Sequence, residues 1–302
     1  MQYFSTEHKL SIKATCGLLG VDRQVYYRDI KSRKEKLKLS SKVINLVKTK
    51  RLTMPRIGTR KLYYLLEHEL KELNVGRDKL FKILKANQLL IKPKRKYHIT
   101  TNSHHRFRKH KNQIKDLEFI RPEQVWVSDI TYIGNRKNPS YLALITDAYS
   151  KKIVGYHVSD SLNVSGSLSA LEMALKKREY GKQPIIHHSD RGLQYCSNEY
   201  QGVLEKNGIL PSMTEQYDPY ENAIAERING ILKQEFDIDK YDTNLEIKTK
   251  LVQNTIDIYN NFRPHLSNYM LTPNQMHKQN SIKRKKYKTK KGSDIKSLPL
   301  NY

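Results

Sequence analysis

Nine residues, VWVSDITYI (125–133), constrain this chain more than any others. Apolar and polar side chains alternate with the two-residue period of a strand, so Val125, Val127, Asp129, Thr131 and Ile133 share one face. A core would claim that face, and Asp129 sits in its middle. A carboxylate buried there without a partner costs on the order of several kcal/mol. It must be protonated, paired, bound to a cation, or set at the open end of its strand.

At 302 residues the chain is long enough for one core of about 150 residues and smaller modules besides. Its 56 Lys and Arg against 30 Asp and Glu leave a formal net charge of +26, which repels itself unless a polyanion offsets it. Nucleic acid is the leading partner. An anionic membrane is the rival, yet no apolar run approaches the roughly 18 residues of a spanning helix, and residues 1–20 lack a secretory apolar segment. Cys16 and Cys196 are the only cysteines, too few for a disulfide framework or a cysteine-rich zinc site, so a reducing cytoplasm is expected.

SIKATCGLLGVDRQVYYRDI (11–30) reads as helix, turn at Gly20 and second helix with Asp22 as N-cap. A helix-turn-helix and an ordinary helical hairpin both fit that punctuation. A second helical block over about 40–92 carries PRIGTRKLYYLL and NVGRDKLFKILKANQLL, with apolar stripes at Leu62, Leu65 and Leu66 and at Leu80, Ile83 and Leu84. Arg56, Arg60, Arg77 and Lys79 stand at or near the helix starts, where a DNA-reading helix makes contacts; a solvated basic face is the alternative. Twelve Lys or Arg and no acid from Lys79 to Lys115 predict a phosphate-tracking linker, in which His104, His105 and His110 have no cysteine or carboxylate spaced for zinc. The expected division is a helix-turn-helix-like segment over 1–35, a second such DNA-binding domain over 36–95, a basic linker over 96–120, a catalytic core with following helices over 121–280, and a basic tail over 281–302.

From Arg121 the pattern changes to strands. VWVSDITYIG, YLALITDAYS and KIVGYHVSD follow closely enough for an antiparallel meander. VSGSLSALEMALKKREY then reads as helix, PIIHHSD as strand, SNEYQGVLEKNGI as helix, LPSMT as strand and ENAIAERINGILKQEF as a long helix. The expected fold is α/β, a mixed five-stranded sheet flanked by helices and preceded by all-α modules.

Asp190 ends PIIHHSD, at the carboxyl end of its strand, where open sheets place their sites. If that strand neighbours VWVSDITYI, Asp129 and Asp190 meet at one edge. On the late helix Asn222, Glu226, Asn229 and Lys233 share a face opposite Ile224, Ile228 and Ile231, so Glu226 can supply a third acid. Three such carboxylates repel one another, and hard divalent cations remove the conflict. Oxygen-only ligands favour Mg²⁺ or Mn²⁺, and two ions about 3.5 to 4 Å apart can serve phosphodiester displacement.

Thirty-five residues separate Asp190 from Glu226, and Lys233 follows Glu226 by seven. This resembles the D-D-35-E signature, with its trailing Lys or Arg, of retroviral integrases and related bacterial transposases. WVSDIT, HHSDRGLQY, ENAIAERINGILKQE and YNNFRPHLSNYMLTP look like the second-frame protein of the insertion-sequence-three family, as do LLGVDRQVYYR and IGTRKLYYLL…GRDKLFKIL. Many members have Asp-Asn where this chain has Glu221-Asn222.

The resemblance implies a ribonuclease-H-like core acting as a DNA strand transferase, with Asp129, Asp190 and Glu226 holding two Mg²⁺ ions that Mn²⁺ can replace. It further implies that Lys233 and Asn222 touch terminal nucleotides, that His188 supports Asp190, and that the partners are transposon ends, target DNA, further copies of the chain and an upstream-frame DNA-binding protein. Such a protein works in the bacterial cytoplasm, on the nucleoid. A DNA-binding regulator that has lost catalysis and a structure-specific nuclease are the rival readings.

Overall fold

The computed structural model describes residues 10–92, 110–134, 139–215 and 222–278. The tail over 281–302, most of the basic linker with His104 and His105, and Glu221 lie outside the described residues. The chain divides into two units, Met1–Arg95 and Lys96–Tyr302.

In the first unit Ser11 caps α1 (Ile12–Leu18), Gly20 turns the chain at φ +63°, and Asp22 caps α2 (Arg23–Thr53) by accepting the Gln24 N–H at 2.6 Å. No Gly or Pro interrupts residues 23–53, so α2 runs unbroken through the expected boundary at 35/36. Composition changes along this helix but its backbone hydrogen bonding does not. α3 (Thr59–Leu65), α4 (Glu67–Glu72) and α5 (Arg77–Ala86) follow, with Gly58 before α3 and Gly76 before α5. Leu62, Leu66, Leu80 and Leu84 are buried, as helical periodicity requires. Arg60, Arg77 and Lys79 are exposed, Arg77 beside Asp78, whereas Arg56 donates to the Lys92 carbonyl at 2.7 Å.

The second unit is built on a sheet of order β3-β2-β1-β4-β5. β1 (Val125–Ile133), β2 (Ser140–Asp147) and β3 (Ile153–Ser159) form the expected antiparallel meander. β4 (Ile186–Ser189) runs parallel to β1, and β5 (Leu210–Met213) parallel to β4. Alternation splits the sides. Trp126, Ala143 and Ile145 pack with α6 (Val164–Lys176), α7 (Leu193–Cys196) and α8 (Asn198–Lys206); Val125 and Val127 pack with Ala225 of α9 (Ala223–Glu235). A methyl group at Gly155 would meet the Ala170 carbonyl at 2.1 Å, so β3 carries glycine where α6 presses on it. Helix α6 stops short of the expected Tyr180 because the Glu123 carboxylate accepts the Glu179 and Tyr180 N–H groups at 2.8 and 3.0 Å.

Residues 110–119, expected as linker, are fastened to the core instead. Gln113 N–H donates to Ser212 Oγ at 2.9 Å, and Ile114, Leu117 and Phe119 pack beside Val125 and Val127. Beyond the core, α10 (Leu245–Asn261) and α11 (Pro273–His277) return to the meander. His277 lies 3.7 Å from Glu123 and 3.6 Å from Asp147, all three fully buried. Burial opposes charge on His277, but the bonds to Asp147 and Glu123 outweigh it and hold the imidazole above its ordinary value; Glu123, despite burial, is held below its own by His277 and two backbone N–H groups.

The stability from charged His277 is therefore complete below its unfolded value near 6.5 and is lost as pH rises through the folded one. His277→Gln is expected to cost roughly 3 kcal/mol near pH 6, where a buried pair loses its cation. Urea unfolding from pH 6 to 9 checks this, with the gap to the parent shrinking as pH rises.

Candidate active site

The parallel register of β1 and β4 pairs Ser128 with Ser189. One step further along, Asp129 in the middle of β1 comes beside Asp190, which follows the carboxyl end of β4. Helix α9 crosses the same face, burying Ala225, Ile228 and Ile231, and offers Glu226 from its first turn, where the helix dipole favours an anion. Glu226 is exposed; Asp129 and Asp190 are half-buried.

Each strand acid is held. Asp129 Oδ1 accepts the Ile130 N–H at 2.9 Å, and its Oδ2 accepts Asn229 Nδ2 at 2.7 Å. Asp190 Oδ1 accepts the Gly192 N–H at 3.1 Å. Burial first, then the charges of Asp190 and Glu226, push Asp129 up to about 7 against the pull of its two hydrogen bonds. The three acids named from sequence thus act on one another in the fold.

Among the described residues, no three His, Cys, Asp or Glu side chains are gathered closely enough to hold a metal ion as they stand. The donor set nevertheless suits a hard divalent cation. It consists of carboxylates without thiolate, and the burial and neighbouring charges that make Asp129 favour a proton also favour a cation beside it.

The other expected site residues divide. Lys233 is half-buried on α9; burial lowers its pKa while Asp129 and Asp239 raise it, so it lies within electrostatic reach of the acids. Asn222, expected at terminal nucleotides, is 7% exposed and donates from Nδ2 to the Ser128 carbonyl at 3.1 Å, so it fastens α9 to β1. His188 is fully buried with Nδ1 2.8 Å from Ser212 Oγ, the atom that also receives Gln113 N–H, and so ties β4 to β5 and to the 110–119 segment. Arg60 and Arg77 belong to the first unit.

Two features are not evident from sequence. Asn229 lies on the right helix face but carries no chemistry of its own there, and its spacing of three from Glu226 is the available signal. Behind the acids, His187 Nε2 meets Ser128 Oγ at 2.7 Å and Tyr200 OH at 2.9 Å; burial, with His188 adding to it, pushes His187 down to about 3.

The integrase core domain family matches residues 120–219, and a second integrase core domain model matches residues 207–273. An uncharacterized 31 kDa protein of insertion element IS600 from Shigella sonnei is 35% identical over 261 residues, covering 83% of this chain and 92% of that protein. Transposase InsF for insertion sequence IS3fB of Escherichia coli strain K12 is 34% identical over 169 residues, 55% of this chain and 58% of that one. The magnesium-bound catalytic core domain of HTLV-2 integrase is 19% identical with a TM-score of 0.42, over 53% of this chain and 99% of that one.

A carboxyl held near 7 in the fold but at 3.8 when unfolded costs stability that grows as pH rises from 3.8 to about 7 and then levels off. Asp129→Asn is therefore expected to melt above the parent at pH 8 in EDTA, with the gap closing toward pH 4. A variant that melts lower than the parent at pH 8 contradicts the shift.

Proposed function

The chain belongs to the insertion-sequence-three family of transposases, whose core is of the integrase type, and on that premise we propose that Asp129, Asp190 and Glu226 are the acids of a site that nicks transposon ends and joins them to target DNA. One observation carries this reading: Asp129 and Asp190 lie on neighbouring parallel segments under the helix that carries Glu226, and burial first, then the charges of Asp190 and Glu226, pushes Asp129 up to about 7. Such a cluster lowers the stability of the fold, which suits a site kept for chemistry.

Asp129, Asp190 and Glu226 would hold two Mg²⁺ ions, for which Mn²⁺ can substitute. When bound, these ions supply charge stabilisation to the attacking and leaving oxygens of an in-line displacement. Two displacements suffice. In the first a water oxygen bonds to phosphorus at the transposon end, the bond to the 3′ oxygen breaks, and a 3′-hydroxyl is freed. In the second that hydroxyl attacks another phosphodiester, one P–O bond forming as another breaks, so no bond to the protein is made. Asn229 and the Gly192 N–H orient the strand acids throughout, and Lys233 is suited to the phosphate oxygens of the terminal nucleotides.

The partners in this reading are double-stranded DNA, as terminal repeat and as target, further copies of the chain on that DNA, and an upstream-frame DNA-binding protein, fused or separate. The +26 charge supports nucleoid association in the bacterial cytoplasm, and no helix of the described residues is long and apolar enough to cross a membrane. The five-part division, with 1–35 and 36–95 as DNA-binding modules, is part of the same reading, with the first two joined by α2 and the core's docking beginning at residue 110.

Asp129→Asn, Asp190→Asn and Glu226→Gln are each expected to abolish nicking and joining of labelled end DNA while leaving end binding nearly intact. Near-normal strand transfer by one of them removes that acid from the triad. Activity is expected with Mg²⁺ or Mn²⁺ and not with Ca²⁺, and robust turnover in EDTA would sink the metal assignment. Arg60→Ala and Arg77→Ala are expected to reduce the preference for end over random DNA, by roughly 1 to 3 kcal/mol wherever the arginine reads a base edge. Binding titrations on both DNAs measure the ratio.

A further inference from the structure

Asn222, the N-cap of α9, and Asn229 within it bracket Glu226, four residues before it and three after, the spacing that sets side chains along one side of a helix. Both carboxamides are buried, at 7% and 6% exposure. Both spend their NH₂ groups on consecutive residues of β1, Asn222 on the Ser128 carbonyl at 3.1 Å and Asn229 on Asp129 Oδ2 at 2.7 Å. Their Oδ1 atoms are buried acceptors without a hydrogen-bond partner among the described residues. A satisfied core amide would use both ends.

Resting on the reading of Asp129, Asp190 and Glu226 as cation-holding acids, we propose that Asn222 and Asn229 are positioning residues: a two-point clamp that fixes the helix carrying Glu226 against the strand carrying Asp129, and so limits how far the acids can spread around a divalent cation and which cation they accept. Mg²⁺ takes oxygens at about 2.0 to 2.1 Å in near-octahedral order, whereas Ca²⁺ takes them at about 2.3 to 2.6 Å in a looser shell. Acids discriminate between the two only if they cannot drift apart by a few tenths of an ångström. The apolar contacts of Ile224 and Ala225 with β1 are non-directional and let a helix slide or roll. A single hydrogen bond leaves rotation about itself; two, one turn to either side of Glu226, remove it. The leftover Oδ1 acceptors are suited to the O–H groups of water accompanying a cation.

The test is Mn²⁺ binding to the full chain without DNA, followed by the electron paramagnetic resonance of free Mn²⁺, with Ca²⁺ as competitor. Circular dichroism in EDTA checks folding. Asn222→Ala and Asn229→Leu are each expected to weaken Mn²⁺ by about 10-fold or more and to shrink the preference for Mn²⁺ over Ca²⁺. A merely structural role predicts weaker binding of both ions in proportion, and that result overturns the clamp. If the double variant keeps the parent's affinity and ion ratio while Asp129→Asn loses Mn²⁺, the clamp is refuted and the triad stands. If Asp129→Asn binds Mn²⁺ as the parent does, the triad reading falls and the clamp falls with it. Should Asn229→Leu not fold, Asn229→Ser is read in its place against the same criteria.

Discussion

The edge that gathers Asp129 and Asp190 depends on the parallel pairing of β1 with β4. Parallel neighbours cannot be joined by a hairpin, so the chain crosses through β2, β3 and α6 before β4 returns beside β1. The register then decides the chemistry. With Ser128 opposite Ser189, the next residues of both strands are acids on one face, and a slip of one residue would turn one of them to the other side. Directly beneath, Ser128 Oγ and Tyr200 OH both meet His187 Nε2, linking β1, β4 and α8. Burial keeps that imidazole neutral, so Nε2 serves the two hydroxyls as one donor or one acceptor according to its tautomer. A misregistered strand would strand all three polar groups in the core, a penalty that pins the acids.

Neither outer strand is left as a bare edge. At β3, the Asn260 amide accepts the Ile153 N–H at 3.0 Å and donates to the Ile153 carbonyl at 2.9 Å, imitating a neighbouring strand. At β5, Gln113 N–H reaches Ser212, and Met213 N–H reaches the Lys111 carbonyl at 3.4 Å. Open edges invite pairing with other chains, and these devices close them without further strands. The YNNFRPHLSNYMLTP motif thereby acquires a physical meaning. Arg263 grips Glu235 at the end of α9 with two bonds of 2.8 and 2.7 Å, Asn268 holds the Ser150 carbonyl, and Thr272 and Gln275 form a capping box that starts the helix carrying His277. The motif is a strap that locks the catalytic helix and the meander together.

Strand periodicity, helix starts at Gly58 and Gly76, and the faces of α9 were legible because each rests on local chemistry: alternation, capping and 3.6-residue spacing. The acid in VWVSDITYI was legible as an anomaly, since one residue broke a pattern that its neighbours kept. Contacts set by tertiary geometry were not. The Glu123, Asp147 and His277 cluster brings His277 to residues more than 100 positions away, and strand alternation alone does not separate Asp147 from Asp129 as an acid. Only the fold reveals that Asp147 is consumed by Ser150, the Glu123 N–H and His277 at the opposite end of β1. The bond of Asn222 to β1 was hidden for a related reason, because sharing a face with Glu226 does not say whether that face meets solvent or strand.

The amide at position 229 follows from what Asp129 must remain. A lysine there would pair with the carboxylate, offset the burial and the neighbouring charges that push it up to about 7, and remove its appetite for positive charge. A leucine would leave burial unopposed and the carboxylate free to rotate. An amide donates one directional bond without adding charge, so Asp129 is oriented and stays ready for a cation. The cation that the helix does carry, Lys233, stands one turn further on, near enough for Asp129 to raise its pKa while burial lowers it. Along one face the helix therefore presents amide, acid, amide and cation at Asn222, Glu226, Asn229 and Lys233. Charging either amide would exchange geometry for neutralisation and end the repulsion among the acids.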